Sequence, residues 1–254
     1  MAKSVEFQQP ARDIVLHYGH DARIQRATTD INFGIQVPDW PAFEALKKNL
    51  LESGFSKSPA QHRVISPGNV QVDIVPFGQV EDADSNIAWP PNGDLIMNAL
   101  GFQEVCDNAK IVRIQDNPFV DIPVATPEGM EVLKLIAWID RTIDLRGKDA
   151  KDLLYLFTTY EKIPTISNGL HENQNLMEGY GWDIELASAY QLGVDAETIA
   201  EKQTYDAITG LFNGDHKNLT VELLVEEMCE KIDREYDRNE ELTNAFIDGF
   251  KRGE

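Results

Sequence analysis

The sequence predicts an α+β protein: an N-terminal mixed sheet flanked by helices, followed by a C-terminal helical region. Three observations carry this. Residues 26–37 and 70–75 alternate apolar and polar side chains at the two-residue period of strands. Two turn clusters, Pro67-Gly68-Asn69 and Gln115-Asp116-Asn117-Pro118, each separate a pair of short β-prone runs. From Thr126 onward, apolar residues recur at helical spacing. The expected division is residues 1–125 for the sheet domain and 126–254 for the helical domain, whose first two helices complete a cleft.

In chain order, Val5-Glu6-Phe7 reads as a short first strand, and Pro10 to Tyr18 as a helix with proline near its start and Gly19 near its end. On the next strand Ile31, Phe33, Ile35 and Val37 form an apolar face, while Asp30, Asn32, Gly34 and Gln36 share the other. Asp39 is a good N-cap for a helix carrying Pro41, Phe43, Leu46 and Leu50, with Gly54 as its stop. His62 to Ser66 and Val70 to Val75 then form an antiparallel hairpin, with His62 a surface residue at the strand end. Residues 80–101 read as polar loop, within which Trp89 covers the core edge or stacks on a base.

A second hairpin, Lys110–Ile114 with Phe119–Val124, extends the sheet. Thr126-Pro127-Glu128 opens a buried helix reaching Ile143, on which Lys134, Trp138 and Arg141 share one narrow face. A second helix spans about Lys148 to Tyr160, and Ile163-Pro164 reads as a hinge. Trp182–Leu192, Ala196–Phe212 and Thr220–Tyr236 follow as helices, the last of them on an acid-rich, solvated face.

Composition bounds the function. Hydrophobic content of 42% and charged content of 26% are ordinary for a globular protein, and no apolar run approaches a membrane span. With no signal-peptide pattern, the expected location is the cytoplasm. Cys106 and Cys229 are too few and too far apart for a disulfide framework or a zinc site. A net charge of −20 argues against broad electrostatic binding of nucleic acid. A local patch from Lys110, Arg113, Arg141, Arg146, Lys148 and Lys151 is the alternative to scattered, solvated charges.

The chemistry concentrates on two strands. Val70, Val72 and Ile74 form an apolar face with Asp73 opposite, so pairing of the strands brings Asp30, Asn32 and Asp73 to one spot. Same-facing strand residues lie roughly 6.5 Å apart, close enough to converge on divalent ions about 4 Å apart. Oxygen donors of this kind suit Mg²⁺ or Mn²⁺. The plain alternative is the polar outer face of a half-exposed sheet.

The words Ala11-Arg12-Asp13, Arg26-Ala27-Thr28-Thr29-Asp30-Ile31-Asn32-Phe33, Val72 to Gly78, Leu133 to Trp138 and Lys148-Asp149-Ala150-Lys151-Asp152-Leu153 stand in an order that resembles the nucleotidyltransferase-fold proteins of the AbiEii-like toxin group. That resemblance implies a nucleotidyltransferase-like sheet domain and transfer of a nucleoside monophosphate from an NTP to a hydroxyl on RNA, protein or a small molecule. It also implies an antitoxin partner. Asp30, Asn32 and Asp73 would then hold the metal. Lys134 would contact the triphosphate, with Arg12, Arg26 and Asp149 lining or ordering the nucleotide site. A lysine snorkelling from a buried helix is the other reading of Lys134, and an ion pair with Asp13 the other reading of Arg12.

Two departures bear on activity. Active relatives carry Asp-x-Asp where this chain has Asp30-Ile31-Asn32, and they place a small, glycine-rich loop where it has Gln8-Gln9-Pro10. The two resulting expectations are a transferase and a binding or regulatory partner that has lost turnover.

Overall fold

Short alternating runs separated by glycine, proline and asparagine turns leave the backbone's hydrogen bonds to be satisfied between strands, and a sheet results. The computed structural model describes residues 3–7, 9–20, 30–229 and 232–252, side chains excepted at residues 9, 10, 17, 18, 30 and 232–234. Two compact units are present: Met1–Asp13 with Arg26–Thr126, and Ile14–Gln25 with Pro127–Glu254.

In the first unit the elements are β1 (Ser4–Glu6), α1 (Gln9–Arg12), β2 (Asp30–Val37), α2 (Trp40–Glu52), β3 (Ser56–Lys57), β4 (Arg63–Ile65) and β5 (Gln71–Gly78), then β6 (Asn86–Ala88), β7 (Ile96–Asn98), α3 (Phe102–Asp107), β8 (Lys110–Asp116) and β9 (Phe119–Val124). Seven strands form one mixed sheet in the order β3-β4-β5-β2-β1-β9-β8. β2 runs parallel to β5 and antiparallel to β1, while β1 and β9 are parallel. Both expected hairpins are present as antiparallel pairs, β4 with β5 and β8 with β9. At the first turn Asn69 takes φ 59, a left-handed conformation that asparagine tolerates better than most side chains.

The helix after β2 starts as its sequence predicts: the Asp39 side chain accepts from the Ala42 amide at 2.8 Å. The polar face expected of β2 is not a solvent face. α3, absent from the sequence-based expectation, lays Phe102 over Gly34, where an added Cβ would come within 2.8 Å of the ring. Phe102 in turn packs edge-on to Phe7 and lies beside Phe77. Residues 80–101 are likewise not all loop, since β6 and β7 pair as a small separate sheet. Trp89 is buried and packs against Trp40, Phe43 and His62, so it belongs to the core. The strand β5 continues through Pro76 to Gly78; β4 covers it only over Gln71–Asp73, so the proline lies where β5 has a single neighbour.

The second unit holds α4 (Pro127–Asp140), α5 (Ile143–Thr159), α6 (Pro164–Glu172), α7 (Gln174–Gly179), α8 (Ile184–Ile199), α9 (Lys202–Phe212), α10 (Val221–Met228) and α11 (Ile232–Phe250). Several boundaries differ from expectation. α4 ends at Asp140, and Ile143, expected on its buried face, opens α5 and is 73% exposed. Pro164 starts α6 inside this unit, so Ile163-Pro164 is not the junction between units. The break after α8 falls at Ala200-Glu201, and Cys229 ends α10 before α11 begins. α8 and α11 approach closely at two glycines. A Cβ at Gly193 would lie 2.2 Å from the Phe246 carbonyl oxygen, and one at Gly249 would lie 2.0 Å from that of Tyr190. Among the described residues no helix is long and apolar enough to cross a membrane.

Candidate functional site

Parallel pairing sets Asn32 opposite Asp73 and Asp30 opposite Gln71. The side chains of register partners on neighbouring strands share a face, so the meeting of Asn32 and Asp73 expected from alternation is present. Asp30 opens β2 two positions earlier; its side chain lies outside the described residues, as do Gln8, Arg26 and the side chain of Gln9.

The expected opening to solvent is absent at this pair, because Asn32 and Asp73 are only 4% and 7% exposed. The carboxylate is occupied instead. From β4, directly across the hairpin, Arg63 donates through Nε to one Asp73 oxygen at 2.6 Å and through Nη2 to the other at 2.8 Å. Its Nη1 donates to Gln71. This is the two-pronged geometry in which guanidinium and carboxylate bind most strongly. His62, expected at the surface, stands with Nε2 at 3.9 Å from the second Asp73 oxygen and its ring against Trp89. Burial pushes the His62 pKa down, with Asp73 opposing that and Arg63 and Lys47 adding to it.

A divalent cation does not fit these donors as they stand. Both Asp73 oxygens accept from Arg63, and Asn32 offers an amide oxygen without charge. Among the described residues no group of three or more His, Cys, Asp or Glu side chains is arranged to hold a metal ion.

Arg12 is buried and makes the ion pair with Asp13, through Nε at 3.2 Å and Nη2 at 3.0 Å. The second unit holds the other expected residues. Lys134 on α4 bridges two carboxylates of α5, Asp149 at 2.9 Å and Asp152 at 2.7 Å, and Arg141 reaches the other Asp149 oxygen at 2.6 Å. Lys134 lies on α4 and Arg141 just past its last residue, and 149 and 152 lie one turn apart on α5, the helix packed against it. Asp149 is 0% exposed, so its two cations supply the stabilisation that water would otherwise give. Lys134 is thus a doubly paired, partly buried ammonium whose charge is met by carboxylates of α5.

Trp138, on the same face, is not turned to a cleft. It is fully buried and donates its indole N–H to Glu227 of α10 at 2.8 Å, while Arg146 donates to that carboxylate at 2.8 Å and stacks 5.1 Å from the Trp138 ring. Of the six basic residues expected as a local patch in the middle third, the three arginines are each paired: Arg113 with Asp121, Arg141 with Asp149, Arg146 with Glu227.

Sequence reasoning missed three residues. Arg63 was legible, since a hairpin turning about Gly68 places 63 opposite 73. Glu227 was not, being 81 residues from Arg146 in sequence. Glu131, one turn before Lys134 on α4, is 0% exposed with neither oxygen hydrogen-bonded among the described residues. Burial holds its pKa well above the usual carboxylate value, against the downward pull of Lys134.

No protein-family model matches the chain, and no curated protein matches it. Among solved structures it is similar to one described as an antigenic nucleotidyltransferase-like protein from Paracoccidioides brasiliensis, at 15% identity and TM-score 0.36, covering 70% of this chain and 83% of that one. A likeness at that level assigns no role to any residue here.

Proposed function

We propose that the chain is a nucleotidyltransferase-like protein that works as a binding or regulatory partner, with its strand site held shut by Arg63. One observation carries the reading: both oxygens of Asp73 accept from the Arg63 fork, opposite an uncharged Asn32. A cation would have to displace a guanidinium from a nearly buried carboxylate, with an amide in place of the second charge. At an effective dielectric of about 20, a unit charge a few ångströms from a divalent ion is worth several kcal/mol before desolvation. The missing carboxylate is therefore a large loss.

The transferase reading, with an NTP donor, Mg²⁺ or Mn²⁺ and a hydroxyl acceptor, keeps one observation in its favour. Asn32 and Asp73 stand in register on parallel strands, and the sequence words that resemble the toxin group run through both. A toxin role and an antitoxin partner would follow from that reading alone.

Both are tested by offering each labelled NTP, with Mg²⁺ or Mn²⁺, to the protein in the presence of total RNA, alongside Asp30→Ala, Asn32→Asp and Arg63→Leu. Label transfer by the parent that Asp30→Ala abolishes would overturn the partner reading. Transfer gained only in Asn32→Asp or Arg63→Leu supports a shut site, and nucleotide binding without transfer in all four proteins supports the partner role directly.

A further inference from the structure

On the first unit a groove of about 400 Å³ opens between α2 and the segment joining β3 to β4. Lys47 and Lys48 line it from α2, Lys57 from β3, and Arg63 closes it at the β4 end, against a single lining acid, Glu44. The whole chain carries 23 lysines and arginines against 43 acids. Four cations to one acid therefore reverse the protein's overall balance over one concave surface.

The cations are unequally engaged. Arg63 turns its fork onto Asp73. Lys47 is steadied by donating to the Gln61 carbonyl at 3.0 Å, and it sits 3.6 Å from Glu44. Lys48 stands 3.7 Å from Glu52 with both side chains largely exposed, an arrangement that holds little energy. Lys57 makes no ion pair with any described residue and projects from the two-residue edge strand. Ser58, beside it, accepts from the Ala60 amide at 3.3 Å and so keeps its own O–H proton to donate. The groove is thus lined by lysines and a hydroxyl donor around a space within the ~300–1,000 Å³ range of small-molecule sites.

We propose that this groove is a binding site for the phosphate groups of a nucleotide-sized ligand, held by Lys47, Lys48 and Lys57 with Ser58. The phosphates come from a free polyphosphate or nucleotide, or from an RNA strand. The site uses no metal and does not depend on the reading of Asp73 and Arg63 given above.

The test is equilibrium binding by calorimetry on the full chain without divalent ions, using sodium triphosphate, ATP and a short oligoribonucleotide as probes. The comparison protein is Lys48→Glu/Lys57→Glu, two exposed positions whose reversal leaves the packing of α2 and β3 untouched; circular dichroism confirms its fold. Binding that is at least about tenfold weaker in the variant, and weaker in both proteins as salt rises from about 50 to about 200 mM, bears the proposal out. Triphosphate and ATP binding alike identify a free polyphosphate as the source, and oligoribonucleotide binding alone identifies the strand. Absence of binding by all three probes, or equal binding by the two proteins, overturns it. That result would leave the shut strand site standing, because that reading is judged by label transfer and by its response to Mg²⁺.

Discussion

Replacing Arg63 by leucine removes the fork from Asp73 while keeping most of the side chain's aliphatic bulk. The cost lies between two limits, the ~0–1 kcal/mol of an exposed pair and the ~3–5 kcal/mol of a buried pair that loses one partner. Asp73 is 7% exposed and the Arg63 side chain 27%, so the loss falls nearer the second, at about 2–4 kcal/mol. For a chain of this size each kcal/mol moves Tm by about 2–4 °C, and a drop of roughly 4–16 °C is expected. His62 does not substitute at neutral pH, because burial favours its uncharged form. Thermal melts with and without MgCl₂ then read the site. The parent should be insensitive to Mg²⁺, whereas in Arg63→Leu the cation fills the vacated position and restores up to about 2.7 kcal/mol at a hundredfold excess over its Kd. Adding Asp73→Asn should cancel both the loss and the Mg²⁺ response, closing a double-mutant cycle on this one pair. The reasoning is refuted if the parent gains as much from Mg²⁺ as the variant does, or if Arg63→Leu melts with the parent.

Three other perturbations test the second unit and its packing. Glu131 has its folded pKa raised by burial, so the folded state holds that proton more tightly; the stability it adds is complete below about pH 4.5 and is lost as pH rises through the folded value. Glu131→Gln should therefore gain on the parent in urea melts as pH increases from about 4 to about 8, and a difference that stays flat with pH rejects the assignment. Asp149→Ala strands Arg141 and leaves Lys134 only Asp152, with an expected loss of about 3–5 kcal/mol in chemical denaturation; a loss below about 1 kcal/mol, the exposed-pair range, would show the network to be solvated. Gly193→Ala puts a methyl group where the Phe246 carbonyl oxygen already lies, so α8 and α11 must separate, and a loss of about 1–3 kcal/mol is expected despite alanine's better helix propensity. Unchanged stability there would mean that the two helices slide apart freely.

The amino-acid sequence by itself determined the α+β class, both hairpins and the Asp39 cap of α2, because each depends on contacts between near neighbours or on the two-residue period of a strand; alternation put Asn32 and Asp73 on the polar faces of their strands, and their meeting required those distant strands to pair. What only the tertiary structure decided was which face of β2 meets solvent and whether Asp73 is available. Both depend on elements whose signals are short: α3 has six residues and covers Gly34 with Phe102, and β4 has three and delivers Arg63. The helix boundaries at Asp140 and Cys229 and the partner of Trp138 belong to the same class. Local propensity varies by less than about 1 kcal/mol per residue for most side chains, so burial against distant chain segments outweighs it, and a one-dimensional pattern does not contain that burial.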